Sequence, residues 1–407
     1  MGRRTLEEHR DAVARHLADA LAPRTVRVPL DALADPAADL GALIGRLLAA
    51  PAVAGADAPP FANSQLDGYA VRAADVRPGA PLPLAPEIPA GADAAPLPAG
   101  HAAPIMTGAP LPPGADAVVP IEEAEGGFAA HAAAGSVVLR VAPRPGAAVR
   151  DVGSDLRRGD VVLEAGARLG PAQLGALAAG DVAEVVLVAR PRVAIVSTGR
   201  ELGAGVRDAN GPALATAVVD AGGVATRHLH ADDDPATFRA LLVEAARGAD
   251  LVITTGGVSL GTHEVVREAL ADTGTFEAVA IQPGGPQGLA TIDADGREVP
   301  VVCFPGNPVS ALVSFELFLR PLLRAAAGAD PVDRPTALVP LAAAVESPPH
   351  VHQVRRGVLT DDGVHLVGGP SSHLIGAYAR SSVLVHLPVG LEAPAAGTLV
   401  ETWRIDV

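Results

Sequence analysis

The chain has 407 residues, and its 31 basic and 46 acidic side chains give a net charge of −15 at pH 7. At about 150 residues per domain, this length predicts two to three domains. The negative charge argues against a general nucleic-acid or acidic-membrane binder, whose phosphate contacts need a basic surface, but it is compatible with a small anionic ligand in a locally positive pocket. The sequence contains no lysine, so every one of the basic residues is arginine.

A single cysteine, Cys303, excludes a disulfide framework or a cysteine-rich metal site within one chain. The N-terminal segment is charged from Arg3 to Arg15 and lacks the apolar stretch of a signal peptide. No uncharged stretch reaches the roughly 18 apolar residues of a membrane span. The sequence therefore predicts a cytoplasmic protein without nucleic-acid or membrane partners.

The first part of the chain alternates short apolar runs with turn-forming residues. Apolar residues at helical spacing predict a helix over residues 5–21. Residues 51–150 are rich in Pro, Gly and Ala, which is typical of a β-rich module with many turns. A helix at about 171–179 and a strand at 182–188 are expected to follow.

Strands alternate with helices beyond Pro191, which predicts a doubly wound α/β domain over about 190–328. The expected strands and hairpin arms lie at 193–196, 224–230, 251–254, 278–281, 288–292 and 299–303. The expected helices lie at about 211–221, 235–246, 262–271 and 307–327, the second and fourth beginning with the N-caps Asp234 and Asn307. Strand-like runs and turns over about 332–407 predict a small β domain.

Three glycine-containing loops follow predicted strands of the α/β domain, and ligands of open α/β sheets bind beyond the carboxyl ends of the strands. The loops are Ser197-Thr198-Gly199-Arg200-Glu201, Thr254-Thr255-Gly256-Gly257-Val258-Ser259 and Phe304-Pro305-Gly306-Asn307-Pro308. Helix N-termini attract anions, and glycine lets a phosphate approach the backbone. These loops therefore predict an anion site; the alternative interpretation is that each is an ordinary capped turn.

Acidic residues stand near these loops: Glu201, Asp208, Asp232–Asp234 and Glu264. Carboxylates beside a phosphate site suggest Mg²⁺, which binds through one or two of them plus the substrate's phosphates. Structural roles are open as well: Asp234 suits a helix N-cap, Asp232 a solvated loop charge and Asp208 a turn.

Other polar residues favour structural roles. His228 and His230 alternate on a predicted strand, without any histidine metal motif. Cys303 ends an apolar strand and is expected in the core. A Ser371–His373 nucleophile pair is conceivable, but no G-x-S-x-G motif or orienting acid accompanies it.

A set of segments along nearly the whole chain resembles, in order and spacing, the molybdopterin molybdenumtransferase family, known as MoeA and, in animals, as the E domain of gephyrin. The segments are Glu7–Arg10, Phe61–Ala70, Ile105–Pro112, Gly153–Asp155, Gly159-Asp160, Ser197–Leu202, Asp208–Asn210, Thr255–Gly261, Pro283-Gly284, Phe304–Ser310 and Ser372–Leu374.

The resemblance implies a multidomain α/β plus β fold and a homodimer. It divides the chain into an elongated discontinuous domain (1–50 and 140–189), an inserted β-rich domain (51–139), a molybdopterin-adenylyltransferase-like α/β domain (190–328) and a C-terminal β domain (332–407). The implied reaction inserts molybdate into adenylylated molybdopterin with release of AMP, with Mg²⁺ offsetting the charge of the pyrophosphate. Contacts with molybdopterin adenylyltransferase and with cofactor-accepting enzymes are implied as well.

The resemblance also assigns site residues by position. The implied catalytic residues are Asp67, Thr107, Asp155, Glu201 and Asp233, and the implied metal ligands are Glu201, Asp233 and Glu264. The implied cofactor-binding residues are Ser197, Thr198, Gly199, Gly256, Gly257, Ser259, Pro305, Gly306, Asn307, Ser310 and Arg355.

Several positions depart from the family pattern, among them Arg200, Thr262, Gln282 and Gly285. Arg200 stands where the family often has Asp, and Thr262 lacks a carboxylate that many members carry. Gln282 and Gly285 stand where many members have lysines. These changes keep open an alternative, a degenerate paralogue that binds the pterin or scaffolds the pathway without turnover. An adenylyltransferase is disfavoured, because the resemblance extends beyond the domain shared with that family.

Overall fold

The computed structural model describes residues 3–35, 37, 40–91, 94–202, 204–230, 232, 234–259 and 264–406. The chain divides into two compact units, Met1–Arg24 with Ala189–Val407, and Thr25–Val188. Within the described ranges, no helix combines the length and the apolarity that a membrane crossing requires.

The secondary structure elements are numbered here in chain order. The α-helices are α1 (Leu6–Leu17), α2 (Phe128–Ala134), α3 (Pro171–Ala179), α4 (Asn210–Asp220), α5 (Pro235–Arg247), α6 (Val265–Ala269), α7 (Pro308–Ser314), α8 (Arg320–Ala326) and α9 (Ile375–Tyr378). The strands are β1 (Thr25–Pro29), β2 (Ala52–Val53), β3 (Asn63–Ser64), β4 (Gly68–Val71), β5 (Pro81–Pro83), β6 (Ala102–Ile105), β7 (Ala117–Pro120), β8 (Ser136–Val138), β9 (Val149–Arg150), β10 (Val161–Leu163), β11 (Glu184–Val188), β12 (Arg192–Thr198), β13 (Val224–His230), β14 (Leu251–Thr255), β15 (Thr275–Ala278), β16 (Ile281–Gln282), β17 (Pro286–Ala294), β18 (Arg297–Phe304), β19 (Thr336–Pro340), β20 (His352–Thr360), β21 (Gly363–Leu366), β22 (Val383–Leu387) and β23 (Leu399–Arg404).

A six-stranded sheet in the order β13-β12-β14-β18-β17-β15 forms the centre of the first unit. The four strands β13, β12, β14 and β18 are parallel, as expected for an α/β domain. Alternate side chains of these strands enter two apolar cores: Ile195 and Ile253 pack with α1, α4 and α7, whereas Val196 and Val252 pack with α5 and α6. Helices therefore cover both faces, and the predicted doubly wound architecture is confirmed.

Most predicted elements of this unit are present within one or two residues, among them the strand at 224–230 and the hairpin around Asp295-Gly296. The predicted strand over 278–281 is wrong. β15 pairs with β17 in the central sheet, whereas β16 pairs with β20 in a second sheet. Between them, Val279 and Ala280 donate backbone hydrogen bonds to Gly285 and Arg4 instead of continuing either ladder.

The helix predicted over 307–327 runs from Pro308 to Ala326, but a π-helical turn, Phe315–Leu319, interrupts it between α7 and α8. Glu316 in this turn is buried, and its carboxylate accepts hydrogen bonds from Arg334 at 3.0 and 2.9 Å. Asn307 occupies the predicted N-cap position, but its side chain makes no capping hydrogen bond.

Helix α1 ends earlier than the predicted residue 21, and it packs into the core of the α/β unit through Leu6, Val13 and Leu17. The apolar stripe of α1 is buried against core residues such as Phe318 and Leu289. The division into four domains stays a prediction.

The C-terminal part of this unit forms a second sheet in the order β16-β20-β22-β23-β19, with β21 paired to β20. The second unit, Thr25–Val188, contains only short pairings, the largest of which among the described residues is the three-stranded sheet β6-β4-β7. The predicted β-rich, turn-rich character of residues 51–150 is confirmed.

Candidate active site

The three glycine-containing loops meet at one edge of the central sheet. β12, β14 and β18 are parallel neighbours, with Ser197 in register with Thr255, and Thr255 in register with Phe304. Because the carboxyl ends of parallel strands lie at the same sheet edge, the loops that follow them are adjacent, as the sequence predicts.

These loops enclose a cavity of about 440 Å³, a size typical of small-molecule sites. Its lining residues are Thr198, Gly199, Arg200, Glu201, Gly256, Gly257, Ser259, Glu264, Val265, Gly306 and Asn307. We refer to it as the loop cavity. Nine of the residues that the resemblance assigns to cofactor or metal binding line it, and Arg200 and Val265 are added.

Glycine is required in the floor of the loop cavity because backbone segments approach each other closely. Gly256 has φ +93°, and a Cβ there would lie 2.5 Å from the carbonyl oxygen of Thr198. A Cβ on Gly306 would lie 3.1 Å from the Cα of Gly256. The three loops therefore contact through backbone atoms, which leaves backbone amide groups accessible to a ligand.

Several hydrogen-bond donors of the loop cavity make no hydrogen bond within the described residues. The hydroxyl of Thr198 is buried and has no partner in that part of the chain. Within the described residues, the backbone N–H groups of Gly257, Gly306 and Asn307 donate to no other residue. Such donors suit a phosphate or another oxyanion, and the Arg200 guanidinium in the lining adds a positive charge.

The N-terminus of α7 contributes less than the sequence suggests. Pro308 has no N–H group, and the N–H of Val309 donates to the carbonyl oxygen of Ser372 at 3.1 Å. Two of the amide positions that would face an anion at a free helix N-terminus are therefore not available. The loop amides and Arg200 are the stronger anion donors.

Asn210, at the start of α4, connects the loops. Its Nδ2 donates to the Gly306 carbonyl oxygen at 2.8 Å and to Thr255 Oγ1 at 3.3 Å, while its Oδ1 is buried without a partner. Sequence reasoning noted Asn210 within a family segment but assigned it no role. The only available signal was its place directly before a helix that follows a candidate loop.

Two carboxylates, Glu201 and Glu264, line the loop cavity. They fit Mg²⁺, which needs one or two carboxylates when phosphate oxygens and water complete its shell. No cluster of three metal-ligating side chains occurs within the described part of the chain, so the protein alone offers a partial coordination shell. Asp233, the third predicted ligand, lies outside the described residues.

Neighbouring acids have the structural roles that the sequence left open. An oxygen of Asp208 accepts the N–H of Gly211 at 2.9 Å, and Asp234 caps α5 by accepting the N–H of Thr237 at 3.0 Å. Hydrogen bonds from Thr237 lower the pKa of the Asp234 carboxyl; the backbone N–H has the larger effect and the hydroxyl the next. Asp232 is exposed.

Comparison with known proteins decides the family. Residues 4–180 match the family described as "MoeA N-terminal region (domain I and II)", and residues 194–325 match "Probable molybdopterin binding domain". "Molybdopterin molybdenumtransferase 2" of Mycobacterium tuberculosis is 39% identical over 99% of this chain and 100% of its own length. The chain belongs to the molybdopterin molybdenumtransferase family.

Two further relatives agree with this. "Molybdopterin molybdenumtransferase 1" of the same organism is 34% identical over 98% of each chain. The crystal structure of a molybdopterin biosynthesis MoeA protein from Pyrococcus horikoshii superimposes with a TM-score of 0.69 at 28% identity, covering 97% of this chain and 99% of that one. The fold and family inferred from the sequence segments are thus confirmed.

Other residues that the molybdopterin molybdenumtransferase resemblance assigns to cofactor binding do not line the loop cavity. Ser197 and Pro305, within the first and third loops, and Ser310, in α7, are buried. Arg355 is buried on β20, where its guanidinium donates to the Gly368 carbonyl oxygen at 3.2 Å and to Gln353 at 3.5 Å. These contacts are those of a residue that positions a loop of the C-terminal sheet.

In the second unit of this MoeA-family chain, Asp67 and Thr107 form a pair. Asp67 Oδ1 accepts the backbone N–H of Thr107 at 2.7 Å and its hydroxyl at 2.8 Å. These two hydrogen bonds, the backbone one first, lower the pKa of the exposed Asp67 carboxyl. Asp155 is exposed in a separate turn, where its N–H donates to Ala58.

The remaining candidates are Cys303, the Ser371–His373 pair and the two histidines of β13, and the predicted core position of Cys303 is confirmed. Cys303 is fully buried, and burial raises the pKa of its thiol to about 12. Ser371 Oγ lies 2.7 Å from His373 Nδ1, and no carboxylate orients this histidine within the described residues. His228 and His230 lie on β13, and no metal cluster includes them in the described part of the chain.

Proposed function

We propose that this chain is a molybdenum insertase: it binds adenylylated molybdopterin and molybdate, cleaves the pyrophosphate link and releases AMP. The observation that carries the proposal is the loop cavity, where unused donors of Thr198, Gly257, Gly306 and Asn307 lie beside the carboxylates of Glu201 and Glu264. Donors for phosphate oxygens next to carboxylates for a divalent cation are what pyrophosphate cleavage requires.

In this proposal the loop amides and Arg200 bind the pyrophosphate oxygens and orient phosphorus. A water oxygen attacks one phosphorus atom, the bridging P–O bond breaks, and AMP and the phosphomonoester of molybdopterin separate. Glu201 and Glu264 would hold Mg²⁺, which supplies charge neutralisation for the leaving phosphate. The backbone contacts at Gly256 fix these groups before the substrate arrives, which reduces the reorganisation needed in the transition state.

The Asp67–Thr107 pair, and Asp155, remain proposed site residues of the second unit. The hydroxyl of Thr107 donates its proton to Asp67, so in the unliganded protein this proton is engaged by a carboxylate and is not available to an oxyanion. Contact with molybdate would require the hydroxyl to exchange this carboxylate for an oxyanion oxygen. The proposal therefore includes a rearrangement of Thr107 on substrate binding.

The direct test is AMP release by purified protein supplied with adenylylated molybdopterin, Mg²⁺ and molybdate. We expect AMP to form faster than in a protein-free control. No acceleration, with the pterin still bound, would favour the non-catalytic paralogue suggested by Arg200, Thr262, Gln282 and Gly285.

The role of Glu201 has a matched control. Glu201→Gln is expected to lower the rate of AMP release at least tenfold and to raise the Mg²⁺ concentration at half-maximal rate. Glu268→Gln changes an exposed carboxylate of α6 outside the cavity lining and is expected to leave both values unchanged. Wild-type kinetics in Glu201→Gln would remove it from the metal site.

The proposal further comprises a homodimer, residence in the cytoplasm, and contacts with molybdopterin adenylyltransferase and cofactor-accepting enzymes. Leu338 on β19 and Leu399 on β23 are 68% and 60% exposed, which leaves apolar surface available for association. Sedimentation velocity at several concentrations tests the dimer, since a purely monomeric profile would contradict it.

A further inference from the structure

A second cavity of the α/β unit has about 490 Å³ and a largely apolar lining. Phe276, Val279, Ile281, Pro286 and Val351 contribute to its walls. We refer to it as the Phe276 cavity. A mainly apolar pocket of this size with a few polar groups is typical of a site for a small organic molecule.

The Phe276 cavity shares a wall with the loop cavity. Val258 lines the Phe276 cavity, whereas its neighbours Gly257 and Ser259 line the loop cavity. Helix α6 is divided in the same way, with Arg267 in the Phe276 cavity and Val265 in the loop cavity. One loop and one helix thus separate two cavities of different character, one polar and one apolar.

Two guanidinium groups give the Phe276 cavity a positive charge. Arg3 and Arg267 line it, and among the described residues neither forms an ion pair. The Arg267 guanidinium lies 5.1 Å from the centroid of the Phe276 ring. Glu277, the acidic residue of the lining, is neutralised by Arg4 at 2.6 Å. The cavity therefore suits an anionic ligand with an apolar body.

Gln282 adds a hydrogen-bonding group to this wall. Its Oε1 accepts from Gln353 Nε2 at 2.6 Å, and its own amide nitrogen has no partner within the described residues. The Gln282 amide can donate a hydrogen bond to the edge of a planar heterocycle, and the Phe276 ring offers an aromatic surface for its face. The lining therefore suits a planar heterocycle.

We infer that the Phe276 cavity binds a planar heteroaromatic ring that carries an anionic group, and that it takes the pterin end of molybdopterin with the dithiolene sulfurs as that group. The identity of the ring rests on the proposed function, whereas the ligand class rests on the cavity itself. The phosphate end of the same substrate would then lie in the loop cavity, across the shared wall. This division assigns Arg267 and Phe276 to substrate recognition and not to the chemistry.

Gln282 and Gly285 stand at positions where the family resemblance implies lysines, and the Phe276 cavity offers another source for that charge. Both residues line the Phe276 cavity, where they supply no charge. Arg3 and Arg267 reach the same cavity from other segments of the chain. The positive charge is present at the cavity but is provided by different residues.

The experiment is a fluorescence titration of the full chain with pterin-6-carboxylate. We expect saturable binding that is weakened about tenfold in Arg267→Ala and severalfold in Phe276→Leu, with partial recovery in Arg267→Lys. Arg247→Ala, which removes an exposed guanidinium paired with Asp295 elsewhere, is the control and is expected to bind like the wild type. Thermal melting of each variant checks that it folds.

Three results would overturn the inference: no saturable binding of the pterin, an unchanged dissociation constant in both Arg267→Ala and Phe276→Leu, or competitive displacement of the pterin by AMP. The last result would place the ring in the loop cavity. If the protein releases AMP but its affinity for the pterin is unchanged in Arg267→Ala, this inference alone is refuted. Pterin binding that depends on Arg267, without AMP release, refutes the proposed function alone.

Discussion

Asn210 Nδ2 lies 2.8 Å from the carbonyl oxygen of Gly306 and donates a hydrogen bond to it. The same nitrogen reaches the hydroxyl of Thr255 at 3.3 Å. Asn210 begins α4, whereas Thr255 and Gly306 belong to the second and third loops. One side-chain amide therefore joins the start of α4 to two loops of the cavity.

Asn210→Ala is expected to destabilise the fold by about 1–2 kcal/mol, since two hydrogen bonds are lost and a carbonyl is left without its donor. Because the loops are then less well fixed, we expect KM for the adenylylated substrate to rise more than kcat falls. Urea unfolding and steady-state AMP release measure the two effects. Asn307→Ala is the comparison, since Asn307 makes no capping bond and its loss is expected to alter ligand binding without altering stability.

Gly256→Ala is expected to cost about 2–3 kcal/mol of stability, because it forces a left-handed backbone on alanine and places Cβ 2.5 Å from the Thr198 carbonyl oxygen. Gly248→Ala is the matched control. No atom lies within 4 Å of a Cβ at Gly248, and its φ is −97°, so the change is expected to be neutral or slightly stabilising. Equal unfolding midpoints for the two variants would contradict the close packing of the loops.

His9 predicts a loss of stability in mild acid. Its ring is 1% exposed, neither nitrogen has a hydrogen-bond partner, and burial followed by the charge of Arg4 lowers its pKa to about 4. The unfolded chain, with an ordinary histidine pKa near 6.5, binds a proton first, so stability is complete above that pH and falls as pH decreases towards 4. His386, whose pKa is lowered to about 3, acts in the same direction.

Between pH 7.5 and pH 5, His9 alone accounts for about 2 kcal/mol of this loss. His9→Leu should remove that part of the pH dependence, whereas His101→Ala, at a partly exposed position, should keep it. Urea unfolding at both pH values for the three proteins provides the measurement. The same pH dependence in His9→Leu and in the wild type would contradict a buried neutral His9.

Thr107 controls the acidity of Asp67. Thr107→Val removes one of the two hydrogen bonds that lower the pKa of the Asp67 carboxyl, so this pKa should move up towards its ordinary value. Thr107→Ser keeps the hydroxyl and should leave the pKa of Asp67 low. A carboxyl ¹³C titration by NMR distinguishes these outcomes, and a low pKa in Thr107→Val would show that the backbone N–H suffices.

The elements that sequence reasoning predicted correctly have local signals. The strand 224–230 follows Gly222-Gly223, and α5 starts at Asp234-Pro235, so chain punctuation defines their ends. The strand predicted over 278–281 has no such signal, because its apolar run is divided between partners in two different sheets. The choice of partner depends on tertiary packing, which a local pattern does not contain.

In the candidate site too, some features have a local sequence signal and others depend on tertiary packing. Glycines and hydroxyls after buried strands indicated the loop cavity, because strand order in an α/β sheet determines which loops meet. The link from Asn210 to Gly306 joins residues that are 96 positions apart, and no spacing rule predicts it. The N–H of Val309, at the start of α7, donates to the carbonyl oxygen of Ser372, and no sequence pattern predicts this hydrogen bond either.

The floor of the loop cavity consists of backbone atoms of Thr198, Gly256 and Gly306, whereas its rim carries the side chains of Arg200, Glu201 and Glu264. Substitutions at the rim change charge and reach but do not move the floor. Such substitutions are therefore expected to alter oxyanion or metal preference while the backbone floor stays in place. Arg200→Asp is then a route to altered selectivity that preserves the scaffold.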